Sequence, residues 1–340
     1  MGATQYLPLK RGALYLIPEI TPGTYVAPNQ TSDNAIRYID AGWSWRGGPA
    51  EQLDDVTPYG GGSVPIIGAT GGEVSLTIKL PIAPDTTDDT SHPLFDVLRA
   101  SAMTVSDATG AGPITAVPTS TFNAGADIAP LSLTLLETDG DAYTLKGCTV
   151  ALDAIRWQGG AFVEVSCTIH GQARDTLTDT VQTLSSAGLS IGAVQFVTES
   201  PVVPKGGTLT ISGPGGSGGV NLSGFEFASG QEITEQEDAT EAQGYGLSLV
   251  HHTGYAALVV TVSKLDETGR AFYDAMLAGT ACTVGVSFGS GASQFGIGLA
   301  AGRILSIDGA ESNGARALQL QCIGLPTSAG NDQYQLQWGV

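Results

Sequence analysis

The sequence predicts an all-β protein with minor α content, built as two tandem β-sandwich domains that each carry one short docked helix and one long extended loop. Three observations point there. The 340 residues include 47 glycines and only 14% charged residues, a composition of many strands joined by turns. Residues 70–80, TGGEVSLTIKL, put Val74, Leu76, Ile78 and Leu80 on one face and Glu73, Ser75, Thr77 and Lys79 on the other. That period of two is a half-buried strand. The strand, followed by a short helix, then occurs a second time.

The helix after the first strand reads HPLFDVLRAS, with Pro93 where a first turn tolerates it and Leu94, Val97 and Leu98 in an i, i+3, i+4 stripe. Downstream, TGYAALVVTVSKL at 253–265 leads into RAFYDAMLAG, where Phe272, Ala275 and Met276 take the same places and Gly279 is the stop. Helices this short do not persist alone in water, so Leu94, Leu98, Phe272 and Met276 are expected to be core, docked on sheet. GWSW at 42–45 matches GFEF at 224–227 (offset 182), Thr70 matches Thr253 (183) and Phe95 matches Tyr273 (178). Leu131 then matches Cys282 (151), Tyr143 matches Phe295 (152) and Cys167 matches Cys322 (155). Order is preserved, and one insertion in the first copy accounts for the single abrupt change, so the chain reads as two copies of one domain. Equivalent copies should place Phe95 and Tyr273 in the same environment.

In chain order, residues 1–35 read as an arm or an added edge strand with no counterpart in the second copy. Residues 36–171 form the first domain, with an insertion at 107–130 that reads as a Gly/Pro/Ala/Thr loop. Residues 172–207 read as an extended linker, 208–326 as the second domain and 327–340 as a C-terminal tail. Each copy holds a long acidic loop at one topological point: 46–69, with Glu51, Asp54 and Asp55, and 228–245, with Glu235, Glu237 and Asp238. Loops of that length with little apolar content are usually functional or disordered.

Lys+Arg 14 against Asp+Glu 33 gives a net charge of −19. This argues against a grip on nucleic acid, which needs cations on phosphates, and against anionic lipid. Residues 1–12 are polar and lack the apolar core of a secretory leader, so none is expected. The four cysteines, Cys148, Cys167, Cys282 and Cys322, sit in strand-like settings without metal-type spacing and read as buried reduced thiols. His251 and His252 are adjacent, so on a strand they point to opposite faces and make no metal pair. The Gly-rich stretch at 213–219 lacks the Gly-Lys-Ser/Thr ending of a phosphate loop, and no Gly-x-Ser-x-Gly elbow occurs. No enzyme, cofactor or metal is expected.

The strand, the long acidic loop, the second strand with its docked helix, the closing hairpins and the opening GALYLIPEITPGTYVAP at 12–28 together resemble the tail tube proteins of long-tailed, siphophage-type bacteriophages. The resemblance implies a structural virion protein whose inner sheets join around a ring, with two domains per chain giving trimeric, pseudo-hexameric rings. Stacked rings would conduct DNA during ejection, with the duplex passing and not tightly bound. Implied partners are the chain itself, a tape measure protein, a tail terminator and a baseplate protein, with no membrane. Implied localisation is the virion tail, assembled in the host bacterial cytoplasm. On this reading the acids of the two long loops touch the adjacent ring. The polar strand faces, Glu73, Ser75, Thr77, Glu164, Ser166, Gln319 and Gln321, are channel-lining candidates. Lys79 fits that wall least and is expected near a ring boundary, paired with an acid. The alternative is a two-module β-sandwich tail fibre or decoration protein that binds carbohydrate or a host surface, with Trp43, Trp45 and Trp157 as a stacking platform.

Overall fold

A computed structural model describes residues 12–47, 51–55, 62–66, 70–80, 92–106, 113–119, 129–137, 141–174, 181–183, 187–196, 207–212, 220–235, 248–263, 266–289, 294–312, 314–326 and 332–339. The chain is all-β with minor α. The first half holds β1 (Ala13–Pro18), β2 (Tyr38–Gly47), β3 (Glu51–Asp55), β4 (Gly62–Ile66), β5 (Thr70–Lys79), helix α1 (Pro93–Ala100), β6 (Met103–Ser106), β7 (Ile114–Pro118), β8 (Leu131–Leu136), β9 (Asp141–Gln158), β10 (Glu164–Ala173) and β11 (Val181–Thr183). The second half holds β12 (Thr208–Ser212), β13 (Val220–Ala228), β14 (Gln231–Thr234), β15 (Leu249–His252), β16 (Ala257–Ser263), helix α2 (Asp266–Ala278), β17 (Cys282–Phe288), β18 (Phe295–Ser312), β19 (Ala315–Gly324) and β20 (Gln335–Trp338).

The alternation read in residues 70–80 is the fold's inner face: Val74, Leu76, Ile78 and Leu80 are all at most 2% exposed. Hydrogen bonding orders the strands antiparallel as β1-β8-β9-β10-β5-β2 in the first half and β12-β17-β18-β19-β16-β13 in the second. Each series turns back on itself. Leu14 of β1 bridges Ile36 just before β2, and Thr208 and Leu209 of β12 pair with Asn221 and Val220 of β13. Closure removes sheet edges on that side.

The irregularities recur as well. An extra residue, Ile39, interrupts β2 against β5, as Ser223 interrupts β13 against β16. Asp153 bulges from β9 against β10, as Leu305 bulges from β18 against β19. The first pair of bulges equates Tyr38 with Leu222 and Ile78 with Val262, an offset of 184 in both strands. Trp43 therefore corresponds to Phe227 where the sequence pattern had paired it with Phe225. The offset of 183 for the second strand also shifts by one, because an odd offset would exchange the core and solvent faces. The second pair of bulges equates Leu152 with Ile304, an offset of 152, in the later halves of β9 and β18.

Helix α1 is set by its ends. His92 caps it, its Nδ1 accepting from the Leu94 N–H at 3.0 Å, and the Ser101 N–H closes on Val97 and Leu98 carbonyls. Leu94 and Leu98 are 1% exposed, Phe272 is 3% exposed, and Met276 is half-buried against the same core. Gly279, at φ 59°, ends α2. Phe95 and Tyr273 do not share an environment: Phe95 is 1% exposed and Tyr273 41%. The cause is β20, which sets the Trp338 ring edge-on to Phe95 at 5.3 Å.

Segments that read in the sequence as arm, insertion or tail prove to contain strands. Ala13–Pro18 lies along β8 just as Thr208–Ser212 lies along β17, so the opening strand has a counterpart in the second half. The 107–130 stretch contains β7, which joins β6 to β20, and β20 in turn pairs with the first half of β18. β11 occupies the equivalent place beside β9. Within 172–207, residues 187–196 are docked. Ala35 N–H donates to the Gln195 carbonyl at 2.8 Å, the Ser190 N–H donates to Gln30 Oε1 at 2.9 Å, and Leu189, Val194 and Phe196 pack on Tyr15 and Ala35. The first long acidic loop contains the hairpin β3–β4, and the second contains β14, which pairs with β15 just beyond the loop, where the sequence pattern showed only extended loop. These pieces escape a periodicity reading because three to six residues hold too few turns of a two-residue period.

Candidate functional site

The later half of β9 runs past β8 and gains a second neighbour from the other repeat. Ala154–Gln158 pair with Gly224–Ala228 of β13, joining the halves into one sheet ordered β2-β5-β10-β9-β13-β16-β19-β18. Side chains alternate across a pleated sheet, so the pairing partners define a face. On β2 and β5, Asp40 is opposite Thr77 and Ser44 opposite Glu73; on β5 and β10, Thr77 is opposite Ser166 and Lys79 opposite Glu164. Glu164 is opposite Arg156 and Arg156 opposite Glu226, which is opposite Val259. Val259 is opposite Gln321 and Thr261 opposite Gln319, and these face Ser306 and Asp308 of β18. Glu73, Ser75, Thr77, Glu164, Ser166, Gln319 and Gln321 thus share one face, turned away from the core.

Hydrogen bonds run laterally over this face. Thr77 Oγ1 and Ser166 Oγ lie 3.4 Å apart, and the Thr168 hydroxyl donates to Asp153 at 2.8 Å. Arg156 Nε donates to Glu164 at 3.1 Å, and the Ser306 hydroxyl to Asp308 at 3.1 Å. Lys79 ends its strand opposite Glu164, but its ammonium sits 4.4 Å over the Phe162 ring. Cation–π attraction holds it there. A depression of about 680 Å³ opens over the β9–β13 junction, lined by Arg156, Phe162, Glu164, Glu226, Thr261 and Gln319. Burial, with Glu73 nearby, raises the Asp153 carboxyl above its ordinary 3.8. Among the described residues of the face, Asp40, Glu73, Asp153, Glu164, Glu226 and Asp308 outnumber Lys79, Arg156 and Arg303.

Hairpin β14–β15 lies over β9 of the first repeat. Gln231 is the fixing residue: its Oε1 accepts from the Leu152 N–H at 2.9 Å and its Nε2 donates to the Ser101 carbonyl at 2.6 Å. Ser229 adds a short hydroxyl bond to the Leu152 carbonyl. Glu235 comes within 3.3 Å of His170, whose other nitrogen is 3.7 Å from Glu73. The described part of the second loop is therefore turned onto its own chain. Glu237 and Asp238 lie outside the described residues, and for Glu51, Asp54 and Asp55 only the strand β3 is described.

Two of the three candidate stacking tryptophans face inward. Trp43 packs on the core with its ring 4.9 Å from that of Tyr143, and Trp157 sits 5.3 Å from Phe288 with its Nε1 donating to the Ala161 carbonyl. The Trp45 side chain lies outside the described residues. His251 is exposed while His252 turns to Tyr334, their ring nitrogen and hydroxyl 3.4 Å apart. Asp40, Arg156, Glu226 and Asp308 were missed from sequence, although each sits at an alternate position of a legible strand. What was missing was the β9–β13 pairing that aligns them.

Among the described residues, no helix is long and apolar enough to cross a membrane, and no three His, Cys, Asp or Glu side chains gather as metal ligands. No protein-family profile matches the chain, and no curated protein matches it at a significant level.

Proposed function

We propose that the chain is a structural subunit of a phage-type tail tube, the polar sheet face lining a channel through which DNA passes during ejection. The observation that carries this reading is the eight-strand sheet itself, which crosses both repeats, presents one mainly polar face on which acids outnumber bases among the described residues, and keeps its apolar side in the core. Duplex DNA brings about one phosphate charge per 1.7 Å, which a cationic wall would hold and an acidic one repels. The net charge of −19 has the sign that transit requires. Two repeats per chain fit a six-position ring made by three chains, a closed cyclic assembly. The subunit works in the virion tail, with itself, a tape measure protein, a terminator and a baseplate protein as partners, and it performs no catalysis.

Negative-stain electron microscopy of the purified protein is the test. Rings or tubes with an open bore and three chains per ring are expected. A soluble monomer at high concentration, or six chains per ring, would overturn the assignment as stated.

A further inference from the structure

We propose that the outer edge of β18 pairs with β2 of a second copy of this chain, antiparallel, in the register Asp40↔Ala310, Ala41↔Gly309, Gly42↔Asp308, Trp43↔Ile307 and Ser44↔Ser306. The template is inside the chain. The later half of β9 has β10 on one side and β13 on the other, with Gly224↔Gln158 through Ala228↔Ala154 in register. The recurring bulges make β18 the counterpart of β9 and β2 the counterpart of β13. Carrying each partner across by its own offset, 152 for Leu152 to Ile304 and 184 for Leu222 to Tyr38, turns the internal pairs into the five named.

Among the described residues, both edges stand open in the single chain. Over 306–312, β19 is the one described strand paired with β18, since β17 and β20 pair no further along it than Gly302. β2 has β5 along Tyr38–Gly47, and β1 reaches only Ile36. A ten-residue strand with one free edge invites another strand, and neither edge carries the lysines or prolines that ordinarily discourage it. Two of the chain's exposed large apolar side chains lie on these strands: Ile39 is 37% exposed and Leu305 52%. No like charges stand directly opposed in this register, because Asp40 meets Ala310 and Asp308 meets Gly42. The internal junction also gains one bond beyond its last pair, from the Gly159 N–H to the Ser223 carbonyl at 3.1 Å. Its counterpart between chains runs from the Glu311 N–H to the Ile39 carbonyl. Both groups lie at the ends of the open edges.

The joined chains extend the polar face from one copy to the next, so the proposal deepens the ring reading and rests on it for what the assembly encloses. The pair Ser44 and Ser306 gives the test, because directly opposed strand residues lie about 4.5–5.5 Å apart at Cα, within disulfide reach. Ser44→Cys and Ser306→Cys are combined in one chain and also made separately and mixed, then oxidised and run without reductant. The native thiols are all buried and stay silent. The double variant is expected to crosslink between chains into a closed ladder, and the mixture to give dimers. A register control, Ser44→Cys with Ala310→Cys, is displaced by about 13 Å along the strand and should crosslink at least tenfold less. Rings seen by microscopy without the Ser44–Ser306 crosslink, or with equal crosslinking in the control, would overturn the register and leave the tube reading intact. In-register crosslinking without rings or tubes would support the pairing and sink the tube reading instead. A monomer that never crosslinks would overturn both.

Discussion

Glu19 sits 8% exposed and its carboxylate takes three hydrogen bonds: Ser132 Oγ at 2.9 Å and Gly147 N–H at 2.7 Å on one oxygen, Gly23 N–H at 2.6 Å on the other. It ties the segment after β1 to β8 and to the kink in β9 where Gly147 adopts φ 58°. Removing it strands buried donors, so Glu19→Ala should destabilise by about 3 kcal/mol, measured by urea unfolding. Its sequence setting, PEITPG, reads as a solvated turn, and no local pattern could have announced a buried acid. The cysteines were legible because each falls on the apolar parity of a strand. Burial pushes the Cys322 thiol up to about 12 and the Cys148 and Cys167 thiols well above their ordinary value. All four should resist a thiol reagent at neutral pH until the chain unfolds. Asp153 gives a signed pH effect. Its folded carboxyl is raised above 3.8, so in the window above that value the native state binds more protons than the unfolded one, and stability falls as pH rises. Asp153→Asn should therefore raise the Tm at neutral pH and lose that advantage below 3.8.

At the scale of elements, α1 was readable almost to its cap because its stripe, Pro93 and His92 all lie within ten residues. Leu98→Ala should cost about 2–5 kcal/mol, the usual range for emptying a buried leucine site, read as a fall in the denaturation midpoint. His92→Ala removes one cap bond and should cost about 1 kcal/mol. The hairpins and β20 were not readable. QLQW offers two apolar positions, and nothing in four residues says that Trp338 will cover Phe95 on a helix more than two hundred residues earlier. Trp338→Ala should cost about 3–5 kcal/mol and raise the solvent exposure of α1, seen as faster amide exchange in residues 94–100.

For the whole molecule, Phe95 and Tyr273 part ways where one environment was expected, but the recurring order and spacing of the two strand series were legible in the sequence. Their registers were not, because a period of two fixes a face and leaves slips of two residues free. The pairing of β9 with β13 was invisible for a related reason: both strands look like any other half-buried strand, and partner choice is a property of the assembled sheet. Its functional weight can be tested on the polar face. If the face lines the proposed channel, Glu73→Lys with Glu164→Lys should leave assembly intact and impair DNA ejection, by adding cations where phosphates would pass. Normal ejection from such tubes would remove that face from the bore.

The lid that β20 places over α1 also sets a timetable for the ribosome. Phe95 is translated 243 residues before Trp338, which at roughly 5–20 residues per second is a delay on the order of 12–50 s. From the synthesis of Ala173 to the end of that interval the nascent first repeat has every strand of its own series but a bare aromatic ring on its helix. A chain cut short by a nonsense codon or by proteolysis would keep that ring bare permanently. Synthesis as far as Trp338 is thus a condition for covering Phe95.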